Sequence, residues 1–166
     1  MTIAISGSRR GRVLRAATAV GSVTLGLLAL SACEKPTPLA TVTVNGETVT
    51  AEAACYEDGK TIAEAEAKKC ADKKAEKTIS VGPGDKIRIG VEPDMAEEGW
   101  MLFVNDQSVL PKPTEKTYYS FPGDAFFQKQ GATGQPEPTE DARISVIMTK
   151  GGDFKGAWHI KAEQEK

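Results

Sequence analysis

One histidine, three cysteines and a scatter of carboxylates are the side chains of this 166-residue chain on which chemistry could rest. His159 stands alone in Ala157-Trp158-His159-Ile160-Lys161, whereas a zinc site needs three or four His, Cys or carboxylate ligands. No metal and no cofactor are therefore expected. Alternation along a strand puts Trp158 and Ile160 on one face and His159 with Lys161 on the other, so His159 is expected to be exposed and dispensable. No Gly-x-Ser-x-Gly elbow supplies a nucleophile. Asp94, Glu97 and Glu98 place three carboxylates in residues 93–99, but without the alternating Asp/Asn and Gly pattern of a calcium loop. A solvated acidic loop is the expectation there. Paired carboxylates for glycoside cleavage are open to any chain this acidic, yet a short chain leaves little room for a sugar groove. No catalytic residue is assigned, and the chain is read as a non-enzyme.

The first cysteine has a distinct setting. Arg9, Arg10, Arg12 and Arg15 precede an uncharged run of 17 residues, 16–32, with Leu25-Gly26-Leu27-Leu28-Ala29-Leu30 at its centre. That layout is a secretory leader, and it is at the short limit for a membrane span. Leu30-Ser31-Ala32-Cys33 resembles the lipobox of bacterial lipoproteins. The resemblance implies cleavage before Cys33 and a diacylglyceryl group on its thiol, with palmitate-type chains that anchor the protein at the outer face of the cell membrane. Residues 1–32 are thus a signal peptide, 33–40 the lipidated Cys33 and a tether, and 41–166 the folded domain. Ser8-Arg9-Arg10 matches the twin-arginine export motif in part, with Arg12 where a large apolar residue usually stands, so general and twin-arginine export both stay open.

With Cys33 taken by lipid, Cys55 and Cys70 are left as a pair, and outside the membrane a pair is expected to oxidise. Such a bond closes a loop of about 15 residues and is worth on the order of 3 kcal/mol in the chain-entropy model. It would staple a helix to a strand end. All 23 acidic residues but only 17 of the 21 basic ones lie after residue 32, a net charge of −6. That balance excludes nucleic acid as a partner and leaves the lipid to hold the membrane. A protein or cell-wall component is the partner expected.

The elements read mostly as β. Thr41-Val42-Thr43-Val44 alternates into an Asn45-Gly46 hairpin turn, with a return over 47–54. Strands are predicted at 78–81 and 86–91 around Gly82-Pro83-Gly84-Asp85, at 100–104 before Asn105-Asp106, at 117–121, and as a final pair at 144–149 and 157–163. Thr61-Ile62-Ala63-Glu64 reads as a capping box opening one helix, supported by a Glu64–Lys68 pair. The charge run 68–77 reads as a solvated helix face, a short helical turn is expected after Asp124, and 131–141 is expected to be a mobile loop. The fold class is mainly β, an immunoglobulin-like β-sandwich with one disulfide-stapled helix inserted after the first hairpin.

Three further resemblances follow from these residues. Ile79-Ser80-Val81-Gly82-Pro83-Gly84-Asp85-Lys86-Ile87 is similar to the opening strands of blue-copper proteins, but the second His that their site requires is missing. The same strands followed by Gly99-Trp100 are similar to immunoglobulin-like bacterial inhibitors of cysteine proteases. That resemblance implies inhibitory loops at 93–99, 112–116 and 151–156, although only the Gly and the aromatic residue match the hallmark loop. The layout of the whole chain, from the lipobox through Pro36-Thr37-Pro38-Leu39-Ala40, Ala54-Cys55-Tyr56 and Gly99-Trp100 to Ala157-Trp158-His159, resembles small secreted lipoproteins of actinobacteria that carry a domain of unknown function.

Overall fold

The computed structural model describes residues 36–132 and 134–165. Its first strand, β1 (Ala40–Val44), buries Ala40, Val42 and Val44 while its threonines face the other way. Asn45 and Gly46 take φ of 48° and 87°, the two positive angles that a type I′ turn needs, and β2 (Glu47–Ala51) returns antiparallel. Then come β3 (Cys55–Tyr56), α1 (Glu64–Ala71), β4 (Lys77–Val81) and β5 (Lys86–Val91). A short helix, α2 (Pro93–Glu98), leads into β6 (Trp100–Val104), and the Asn105-Asp106 turn opens into β7 (Gln107–Ser108). β8 (Tyr118–Pro122) runs into a 3₁₀ turn (Gly123–Phe126). The chain closes with β9 (Gln128–Gln130), β10 (Pro136–Pro138), β11 (Asp141–Lys150) and β12 (Asp153–Gln164).

The protein is mainly β. One sheet has the order β2-β1-β5-β8 and is antiparallel throughout. The other runs β7-β6-β11-β12, and both β3 and β4 pair along the far edge of β12. β4 is parallel to β12, the one parallel pair among the described strands. The turn 82–85 therefore carries the chain from one sheet to the other, and the strands flanking it do not pair with each other. Asp85 locks this crossover: its carboxylate accepts from Gly82 N at 2.9 Å and from Asn45 Nδ2 at 2.7 Å.

Both sheets contribute to one core. Val42, Ile87 and Ile89 from the first meet Trp100, Leu102, Ile144, Val146, Trp158 and Ile160 from the second, each 2% exposed or less. Each such side chain contributes roughly 1.5–3 kcal/mol by leaving water. Buried indoles also need a partner for their N–H. Trp100 Nε1 donates to Lys116 O and Trp158 Nε1 to Pro38 O, both at 2.7 Å. Gly156 lies directly under Trp158, where an added Cβ would meet the ring at 2.8 Å and Cys55 O at 2.9 Å.

Several local expectations need correction. The capping box does not form: α1 starts from Ala63 with no side-chain cap, because Thr61 Oγ1 donates to Asp153 Oδ2 instead. Residues 93–98 are helical rather than a loop, with Pro93 in the first turn and Met95 fully buried. Residues 136–138 pair with β9 as an exposed hairpin, within the stretch expected to be a loop. β11 and β12 run up to a two-residue Gly151-Gly152 turn, so both are longer than the spans read from sequence. Pro38 is buried and Ala40 is already in β1, so the folded body includes the end of the stretch read as tether.

Candidate functional site

The outer face of β12 is where the polar residues gather. Alternation does send Trp158, Ile160 and Ala162 into the core and Ala157 and His159 to the opposite face. His159 is nonetheless 4% exposed, against the expectation of an exposed side chain. The reason is that α1 and the segment before it lie over this face. Ile62, Cys70, Ala157, Ser145 and His159 are all buried there, outside the main core.

That cover is fastened at several points. Cys55 and Cys70 are joined by a disulfide with Cα atoms 5.8 Å apart, so the helix is tied to β3 as the pairing predicts. Ile62 N donates to Phe154 O at 2.9 Å, and Arg143 Nη1 donates to Ala71 O at 2.9 Å. Arg143 also pairs with Asp106. On the solvent side the predicted Glu64–Lys68 ion pair forms at 3.1 Å between exposed groups.

His159 is held from both ring nitrogens. Nε2 lies 2.9 Å from Cys70 O, an acceptor only, which places the proton on Nε2. Nδ1, 2.9 Å from Ser145 Oγ, then accepts from the hydroxyl in the neutral imidazole. Ser145 is the direct cross-strand partner of His159 on β11. Burial pushes the imidazole pKa below its ordinary 6.5; the Cys70 carbonyl opposes this, Arg143 and Lys73 reinforce it, and Asp106 works against them. Among the described residues no buried side-chain nitrogen or oxygen lacks a partner.

A serine bonded to an imidazole whose other nitrogen is fixed is the geometry of a nucleophile and its base. Here the fixing group is a backbone carbonyl, and Ser145 is only 6% exposed. The arrangement acts as a buried polar clamp between β11, β12 and α1.

A cleft of about 540 Å³ reaches His159 from the side; it is lined by residues 50–54 on one wall, by Lys73, Lys74, Glu76 and Lys77 on the other, and by Leu39. Ser145 does not line it. It exists because the edge of β12 is interrupted: β3 pairs at Gly156 and Ala157, and β4 pairs from Ile160 onward. Among the described residues neither Trp158 nor His159 is a register partner of a strand on that edge. Lys73 Nζ crosses the gap to donate to Ala54 O at 2.5 Å. Glu52 and Glu76 are two carboxylates in one cleft, as a hydrolase requires, but both are exposed and neither is oriented by a hydrogen bond among the described residues.

Of the other positions singled out by sequence, Cys33 lies outside the described residues. Asp94, Glu97 and Glu98 sit on α2, and Glu98 pairs with Lys150 at 3.0 Å. No cluster of three or more His, Cys, Asp or Glu able to hold a metal occurs among the described residues. Of the three segments expected as inhibitory loops, 93–99 and 112–116 adjoin, since Trp100 and Thr114 exchange backbone bonds beside Gly99. The end of β11 also meets them, with Thr149 N donating to Gly99 O, whereas Phe154 in 151–156 accepts from Ile62 N before α1. Ser145, Lys73, Lys74 and Lys77 were not singled out as site residues. A serine in the middle of the apolar run Ile144-Ser145-Val146 was the available signal for the first. The chain matches no family model, no curated protein and no solved structure.

Proposed function

We propose that the chain is a lipid-anchored, non-enzymatic binding module at the outer face of the cell membrane, built as an immunoglobulin-like β-sandwich, of the kind the resemblance to small actinobacterial lipoproteins implies. The observation that carries the anchoring is Leu30-Ser31-Ala32-Cys33 at the end of an arginine-led apolar run. A disulfide between Cys55 and Cys70 supports an oxidising, extracytoplasmic setting. Two mostly antiparallel sheets over one core support the sandwich. The non-enzymatic reading is supported by the burial of the Ser145–His159 pair beneath a covalently fastened helix. Its partner is a protein or wall component near the membrane. Metabolic labelling with a palmitate analogue tests the anchor: Cys33→Ala abolishes labelling and accumulates precursor or releases soluble protein. A mature-size, membrane-bound Cys33→Ala chain would overturn it. Crosslinking in intact cells then identifies the partner.

A second reading, a protease inhibitor, is favoured by the meeting of two of its three expected loops, 93–99 and 112–116, beside the end of β11. It is weakened by the packing of α2, whose Met95 and Ala96 are buried. Absence of inhibition of a papain-type protease at a molar excess of this protein removes it.

A further inference from the structure

We propose that the notch in the edge of β12 at Trp158–His159 is a binding site for a single oxyanion, the phosphate or carboxylate carried by a small or wall-derived ligand, with Lys74 and Lys77 as its cationic arms. This deepens the binding-module reading and rests on it. The notch is a permanent part of the fold, because β3 leaves β12 after Ala157 and β4 joins it only at Ile160. Main-chain groups alternate between the two edges of a strand. Ala157 O receives Ala54 N on this edge, so the backbone of His159 turns toward the same side; its carbonyl is taken up by Lys77 N where β4 joins, which leaves the His159 N–H toward the notch. The cleft floor is thus one backbone N–H beside an imidazole whose two nitrogens are bonded elsewhere, and its rim carries Lys73, Lys74 and Lys77 with Glu52 and Glu76.

The availability of those lysines is the second observation. Lys68, Lys69, Lys150 and Lys161 each form an ion pair with a carboxylate. Lys74 and Lys77 have none among the described residues, although Glu52 and Glu76 line the same cleft. The two glutamates limit what fits. A long polyanion meets them and the net negative surface of the body, whereas one compact oxyanion reaches the lysines alone.

An anion bound here offsets the positive field of Lys73 and Arg143 on His159, with Asp106 and the Cys70 carbonyl as the other groups facing the ring. Binding and protonation are then linked: the anion raises the His159 pKa, and affinity grows as pH falls. The sole histidine of the chain is its own reporter.

The test uses full-chain protein as the host processes it, in non-ionic detergent, uniformly ¹⁵N-labelled and without a histidine tag. Imidazole nitrogen shifts are followed on adding pyrophosphate or citrate at constant ionic strength, with sodium chloride as the control. Saturable shifts with either probe, an upward move of the His159 titration at saturation, and a tenfold or greater loss of affinity in Lys74→Gln/Lys77→Gln are expected. Saturation by pyrophosphate alone assigns a phosphate ligand, by citrate alone a carboxylate. Linear shifts, or an equal response from Lys74→Gln/Lys77→Gln and from the distant control Lys60→Gln/Lys112→Gln, overturn the proposal. Labelled, membrane-bound protein that fails the titration loses the notch but keeps the anchor; unlabelled protein that passes does the reverse.

Discussion

The two faces of β12 are buried by different means. On the inner face Trp158, Ile160 and Ala162 meet the opposite sheet, and apolar area does the work. On the outer face an eight-residue helix with one buried residue, Cys70, covers Ala157 and His159. A helix that short does not hold together in water by itself. It stays because a disulfide, a histidine and an arginine each grip its C-terminal end. Area protects one face, and a few discrete bonds protect the other.

That contrast can be broken at each point. Trp158→Ala has the largest expected effect: a core cavity and the lost bond to Pro38 O cost about 3–5 kcal/mol in denaturant unfolding. A loss under about 1 kcal/mol would mean that the inner face is not held by packing. Next is Cys55→Ser/Cys70→Ser, which costs about 3 kcal/mol. Its signature is local: amide exchange in α1 accelerates, and the His159 titration returns toward 6.5 as water reaches the ring. Unchanged exchange in α1 would show that the hydrogen bonds suffice.

His159→Ala follows, at about 1–3 kcal/mol, because Ser145 loses its partner while still buried. This replaces the near-neutral effect expected of an exposed histidine. The pH dependence has a definite sign. With the folded pKa lowered by burial, the unfolded chain binds the extra proton between that value and about 6.5. This contribution is whole above about pH 6.5 and is lost as pH falls through the window. The difference in unfolding free energy between wild type and His159→Ala should shrink over that range; a difference that grows on acidification would refute the assignment.

Local signals in the chain were legible. Asn45-Gly46, the face shared by Ile87, Ile89 and Val91, and the pairing of Cys55 with Cys70 all follow from neighbouring residues and their types. Failures came where a distant element decides. Thr61 abandons its cap for Asp153, 92 residues away in sequence. The alternation at His159 was right, but exposure depends on whether anything docks on that face. Ser145 opposes His159 only because the register shifts between Met148 and Thr149; carrying the turn-end register of Lys150 with Asp153 straight back would have set it against Trp158. A one-residue bulge leaves no mark in composition or period.

The bond from Trp158 Nε1 to Pro38 O has a mechanical consequence. Only four residues separate Pro38 from Cys33, five steps of chain with a fully extended reach of about 18 Å. On the proposed anchor Leu39, which lines the notch, is held within about 22 Å of the lipidated cysteine. On that anchor the notch samples only the layer within a chain's reach of the bilayer, so its ligand is drawn from what is carried there and not from the wider surroundings.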